Sequence, residues 1–264
     1  MKKRLFIALA IQLAVSNAYS QRTALADYVN TLQGTNSSHE LTRGNTYPTT
    51  ALPFGMHTWT PQTGNNGDGW KYQYHKKSIR GFQQAHQCSS WSNDYAVFSL
   101  MPVIDQLTVN ENERATAFEH TNEIAKPYYY KVTLNNNITT EMAPSERGAH
   151  LRFSFPKGHK AFLVLDGYTG LSGVKIHPAE KMITGFVNNG RGFQKGWKSH
   201  FVIMFDTPFS AYGTWQNTDN KVEAGKNEIE GKGAGIYLEF KDGAVVQAKT
   251  ASSYISDEQA KLNL

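Results

Sequence analysis

Cysteine is all but missing from this chain. Cys88 is the single thiol in 264 residues, so no intrachain disulfide forms and the fold must be held by its core. Beside His86-x-Cys88 there is no second cysteine and no paired-histidine motif, so a zinc site lacks the three or four ligands it needs. A Cys-His nucleophile lacks a third group to orient it. Charge is sparse too, at 19% of residues, and nearly balanced. Of 27 Lys and Arg set against 22 Asp and Glu, three are Lys2, Lys3 and Arg4, so the net charge from Gln21 onward is about +2. No basic stripe marks a nucleic-acid partner. Beyond residue 20 no apolar run is long enough to cross a bilayer as a helix. Helical periodicity never lasts three turns before residue 255, and there is no internal repeat and no Pro- or Ser-rich linker.

What is present begins with a leader. Lys2, Lys3 and Arg4 precede a mostly apolar stretch from Leu5 to Val15, and Ala18-Tyr19-Ser20 follows as a small-x-small pattern. This predicts a secretory signal over residues 1–20, cleaved after Ser20, and a secreted or periplasmic protein. No cysteine follows the cleavage point to take a lipid anchor.

Residues 21–254 read as one β domain. Tyr130, Val132 and Leu134 alternate with polar neighbours, as do Leu151, Phe153 and Phe155. "AFLVLDG" (161–167) and "HFVIMFD" (200–206) are continuous apolar runs, the pattern of strands buried on both faces. "KMITGFV", "GIYLEF" and "AVVQAKT" add short strands, and "LNNN", "PKGHK", "DGYTG" and "NNGRG" punctuate them as turns. Many short strands with regular turn signals predict an all-β fold, a large antiparallel β-sandwich. Residues 219–233 read as a solvated hairpin or loop, and Asp166-Gly167 and Asp242-Gly243 as turn signals. Residues 255–264 differ: Ser256 and Gln259 fit the S-x-x-Q capping box with Asp257 and Glu258 in the first turn, so a helix is predicted to begin there.

The stretch from Asn30 to Val103 departs from a plain sandwich. It is rich in proline, glycine and tryptophan, which predicts loops held on a scaffold. "GNNGDGW" is glycine-rich but is not followed by a helix pattern, which argues against a phosphate loop. Trp59, Trp70, Trp91, Tyr72 and Tyr74 offer flat faces for a pyranose ring, and Asp68, Gln87, Asn93 and Asp94 offer partners for its hydroxyls. Each tryptophan has a competing place in the core.

Several ordered motifs here resemble one family: "NTYP" (45–48), "PFGM" (53–56), "GDGW" (67–70), "IRGF" (79–82), the "HQ…S.W.NDY" run (86–95) and "MPV" (101–103). "FEHTNEIAKPYYYKVTL", "RFSFP" and the terminal "YISDEQAKLNL" continue the likeness. Together they resemble the N-terminal domain of glycoside hydrolase family 92, the exo-acting α-mannosidases. The sequence departs from that pattern at Asn45, where the family often has histidine, and at Cys88, where it has proline.

The resemblance implies a galactose-mutarotase-like sandwich that packs against an (α/α)6 catalytic domain, whose helical linker begins at residues 255–264. It implies calcium-dependent hydrolysis of α-mannosides with inversion, through two carboxylates on the helical domain. No catalytic residue and no calcium ligand is then assigned within these 264 residues. The partners implied are mannose-containing glycans and the helical catalytic domain, absent from this chain or encoded separately, with no nucleic acid and no membrane span. Trp70, His86, Gln87, Trp91, Asn93 and Asp94 become the expected substrate-binding wall, and Asn45 to Pro48 a scaffold turn. The expected function is the sandwich part of an exported mannosidase, inactive alone. The alternative is a stand-alone periplasmic carbohydrate-binding module.

Overall fold

The computed structural model describes residues 25–86, 90–91, 94–168, 170–188 and 196–264. The expected signal and its cleavage point lie outside the described residues. The chain divides into two compact units, Met1–Asn30 and Thr31–Leu264. The described part of the first is one turn of 3-10 helix, Leu25–Tyr28. The second holds two antiparallel sheets.

One sheet has seven strands. From edge to edge they are β1 (Thr58–Gln62), β3 (Gly81–Ala85), β4 (Ser99–Ile104), β9 (Ala161–Asp166), β16 (Ala234–Phe240), β13 (Ala211–Gln216) and β14 (Val222–Ala224). The other has ten: β15 (Glu228–Lys232), β10 (Leu171–His177), β11 (Met182–Asn188), β12 (Ser199–Phe205), β17 (Val245–Ser253), β8 (Gly148–Ser154), β7 (Thr139–Ser145), β6 (Tyr129–Leu134), β5 (Thr116–Lys126) and β2 (Ser78–Ile79). The expected all-β sandwich is what forms, and the short helix α1 (Asp257–Leu262) follows it.

The two sheets share one core. Trp59 meets Phe98 edge-on at 5.8 Å, and Phe98 stacks on Phe201 from the opposite sheet's β12 at 4.4 Å. Tyr130 of β6 reaches across to Phe82 of β3. Burying such rings contributes about 1.5–3 kcal/mol each. The two continuous apolar runs behave differently. β9, in the interior of its sheet, is buried along its whole length. β12 turns Met204 outward, 41% exposed, with His200 half-buried.

Two turn expectations gain detail. Residues 219–233 are solvent-facing, yet they form no hairpin: β14 pairs with β13 in one sheet and β15 with β10 in the other. The stretch is a strap between the sheets. Asp166 ends β9 fully buried, where Arg114 donates to its carboxylate at 2.9 Å. At the chain's end the Ser256 hydroxyl accepts the Gln259 N–H at 3.2 Å, as expected of the cap. The Gln259 side chain turns forward to Asn263 instead, so the reciprocal half of the capping box is not made.

Candidate functional site

β3 and β4 are hydrogen-bonded neighbours, and residues 86–98 connect them. The feet of this loop are drawn together by one carboxylate. Asp94 accepts the backbone N–H of His86 at 2.8 Å and that of Tyr95 at 2.7 Å. The His86 ring Nδ1 lies 3.4 Å from the same carboxylate, and the Lys71 ammonium lies 3.5 Å away. All three side chains are buried. Burial alone would raise the Asp94 carboxyl, but the hydrogen bonds from His86 and the charge of Lys71 outweigh it and hold it below the usual range.

Behind His86 stands a second histidine. His57 Nδ1 meets His86 Nε2 at 2.8 Å. Burial first, and then the neighbouring His86, push His57 down to about 2, so it is neutral at physiological pH. The row Lys71, Asp94, His86, His57 therefore places one ammonium against one carboxylate and two imidazoles beneath the loop.

The loop's apex carries the aromatic surface. Trp91 is 69% exposed and meets the buried Trp70 edge-on, with ring centroids 5.0 Å apart. Trp70 is fixed from several sides. Its indole N–H donates to Asn45 Oδ1 at 3.2 Å and its backbone N–H to Asp68 Oδ1 at 2.9 Å. His39 lies tilted on it at 4.0 Å. Gly69 explains the second glycine of the GDGW motif: a Cβ there would stand 1.9 Å from the Ser90 carbonyl, so no other residue lets the two stretches approach. Asn45 sits at φ 54, a left-handed position that asparagine tolerates, and the expected scaffold turn thus braces Trp70. Trp91 stands on an open face. A groove of about 720 Å³ lies elsewhere, between Phe54, Arg147, Tyr254 and Gln259.

Of the residues expected to form the wall, Trp70, His86, Trp91 and Asp94 come together. Gln87 and Asn93 lie outside the described residues. His86 and Asp94 are beneath the surface, where they hold the loop. Two other stacking candidates take the competing place in the core. Trp59 is core, because β1 turns it inward onto Phe98. Tyr72 is also buried, its hydroxyl donating to Glu123 at 2.9 Å. Tyr74 is partly exposed and lies flat on His120 at 3.9 Å. Asp68 is spent on the Trp70 backbone and on His39, 3.3 Å away. Lys71 and His57 were missed: a lysine after a tryptophan reads as a surface charge until its distant carboxylate is in place. Tyr254 and Trp197 were missed as well. They lie 5.6 Å apart and pack with Tyr95 at the loop's foot.

The sequence profile of the glycosyl hydrolase family 92 N-terminal domain matches residues 28–253. The chain belongs to this family. Two solved structures are similar to this family 92 chain over most of its length. An inverting mannosidase from Bacteroides thetaiotaomicron VPI-5482 shares 38% sequence identity at a TM-score of 0.87, covering 92% of this chain and 33% of that one. A family GH92 α-mannosidase from Bacteroides thetaiotaomicron shares 25% at a TM-score of 0.78, covering 92% and 35%. An uncharacterized secreted glycosidase of Arthroderma benhamiae is 24% identical over 266 residues, 89% of this chain and 34% of that protein. The chain thus spans about a third of the length of these relatives.

The calcium expected from the family finds no complete site among the described residues. Calcium takes six to eight oxygen ligands, usually from several carboxylates. Among the described residues no three His, Cys, Asp or Glu side chains gather to hold a metal. The nearest acids are engaged, Asp94 by Lys71 and Asp68 by His39. The described donor set does not fit the ion.

Proposed function

We propose that this chain is the sandwich part of an exported, mannosidase-type family 92 glycoside hydrolase, and that its 86–95 loop forms one wall of the pocket for a terminal mannose. The observation that carries the reading is the exposed Trp91, set edge-on against a buried Trp70 above the Asp94 bracket. An apolar body as large as indole is costly to leave in water, and its face matches the apolar face of a pyranose. Trp91 is the stacking surface. Gln87 and Asn93 supply hydroxyl partners, and Trp70, His86 and Asp94 hold the wall in shape.

In this reading the chemistry belongs to a helical catalytic domain beyond residues 255–264, which are the start of a linker to it. Inversion needs a carboxylic acid and a carboxylate about 6.5–9.5 Å apart on opposite faces of the sugar. Both come from that domain, as does the calcium environment, and the sandwich alone positions substrate without hydrolysing it. The relatives' names support the substrate class, one being called an inverting mannosidase and another a secreted glycosidase.

The test is a titration of the purified chain with methyl α-mannoside, read by tryptophan fluorescence, beside an aryl α-mannoside assay with added calcium. Saturable quenching that Trp91→Ala abolishes, without turnover, is expected. No response to the mannoside removes the wall. Turnover by this chain alone removes the assignment of chemistry to another domain.

A further inference from the structure

The bracket beneath the loop contains a buried charge that reaches out of its own segment. Lys71 is 6% exposed, and its backbone is already secured: its carbonyl accepts the N–H groups of Thr63 at 2.8 Å and Gly64 at 3.3 Å. The ammonium is therefore not required to place its own segment. A buried ion pair is seldom a net gain over apolar residues of the same volume, because desolvation offsets the attraction. Such pairs are best explained where one arrangement must be selected over others.

The geometry shows which arrangement that is. Lys71 directly follows Trp70, and Asp94 lies three residues past Trp91. Two backbone N–H groups and an imidazole at the carboxylate come from the loop's own feet, His86 and Tyr95. They close the loop; on the Trp70 side it is met by Gly69, packed against the Ser90 carbonyl, and by one charged contact. Lys71 reaches Asp94 from the Trp70 side. We propose that Lys71 is a positioning residue, whose contact with Asp94 ties the Trp70 segment to the foot of the 86–95 loop and so sets the edge-to-face placement of Trp91 on Trp70. The inference rests on the sugar-wall reading for its purpose, and on the lysine–aspartate geometry for its substance.

Two readouts separate it from a merely structural role. The first is the near-ultraviolet circular dichroism signal of the coupled indoles, defined as the part of the parent spectrum that Trp91→Phe removes. The second is affinity for methyl α-mannoside. Lys71→Met is expected to lose the coupled signal and to weaken binding about tenfold, the worth of one aromatic contact. Because Lys71→Met leaves Asp94 buried without its cation, the neutral pair Lys71→Met/Asp94→Asn is measured beside it. It should regain part of the thermal stability, since an amide accepts only one of the two backbone N–H groups that Asp94 holds, yet regain neither the indole signal nor the affinity. If the signal persists in Lys71→Met, or returns with stability in the neutral pair, the lysine does not position Trp91 and the proposal is overturned. If the parent shows the coupled signal but binds no mannoside, the wall reading fails, while the role of Lys71 is still decided by the indole signal alone.

Discussion

Replacing Arg114 with methionine should cost this domain several kcal/mol of stability, about 3–4. The Arg114 guanidinium donates to Asp166 at 2.9 Å, to the Val109 carbonyl at 2.7 Å and, through Nε, to the Arg80 carbonyl at 3.2 Å. It also lies over the Trp215 ring at 5.8 Å. Asp166 is fully buried. Methionine keeps most of the volume and removes every donor, so the carboxylate is left without its cation. Breaking a buried pair in this way costs about 3–5 kcal/mol. Two donors remain to Asp166, the Asn66 side-chain amide at 2.5 Å and the Tyr168 N–H at 2.9 Å. They place the expected loss near the lower end, about 3–4 kcal/mol. For a domain of this size each kcal/mol moves the melting temperature about 2–4 °C, so a fall of about 6–16 °C is expected by calorimetry or far-ultraviolet circular dichroism. Arg114→Met/Asp166→Asn, with no charge left, should return much of it. The same change should loosen the 64–68 loop, since Asn66 joins Asp166 to that loop and its backbone N–H donates to Glu111 at 2.7 Å. A loss below about 1 kcal/mol, the scale of an exposed pair, would refute the claim that Asp166 depends on Arg114.

Other changes test separate features. Phe54 sits at φ 61 behind Pro53 in a turn closed by the Gly55 N–H to the Leu52 carbonyl at 3.1 Å, and its ring is fully exposed. That is the third position of a type II turn, which favours glycine or asparagine. Phe54→Asn should therefore stabilise by about 0.5–1 kcal/mol, raising the melting temperature about 1–4 °C, and an unchanged or lower value would count against strain at this turn. Glu141 is held below its ordinary 4.5, first by the hydrogen bonds from Arg152, 2.5 and 2.6 Å long, which outweigh burial. The folded carboxyl has the lower value, so this contribution is complete above 4.5 and is lost as pH falls through the folded value. Arg152→Ala should flatten the decline of melting temperature as pH falls below 4.5, and a decline as steep as in the parent would argue against the pair.

Local pattern in the sequence determined the layered architecture. Alternation along Tyr130 to Leu134 and Leu151 to Phe155 marks which face is buried, because a strand's side chains alternate whatever its partner is. The cap at Ser256 was legible for the same reason: donor and acceptor lie three residues apart. The ordered motifs gave the family. The sequence did not separate Trp59 from Trp91, since both are tryptophans in a stretch read as loop. β1 turns the first into the core, and the β3–β4 connection lifts the second into solvent. Nor did it show that Lys71, His57, Arg114 and Asp166 are buried. A polar or charged group is admitted to a protein interior only when a partner is already there. Those partners stand 23, 29 and 52 residues away along the chain for Lys71, His57 and Arg114. Pairing of that kind is a property of packed sheets, so tertiary structure alone decided which polar residues are buried beneath the loop and which face solvent.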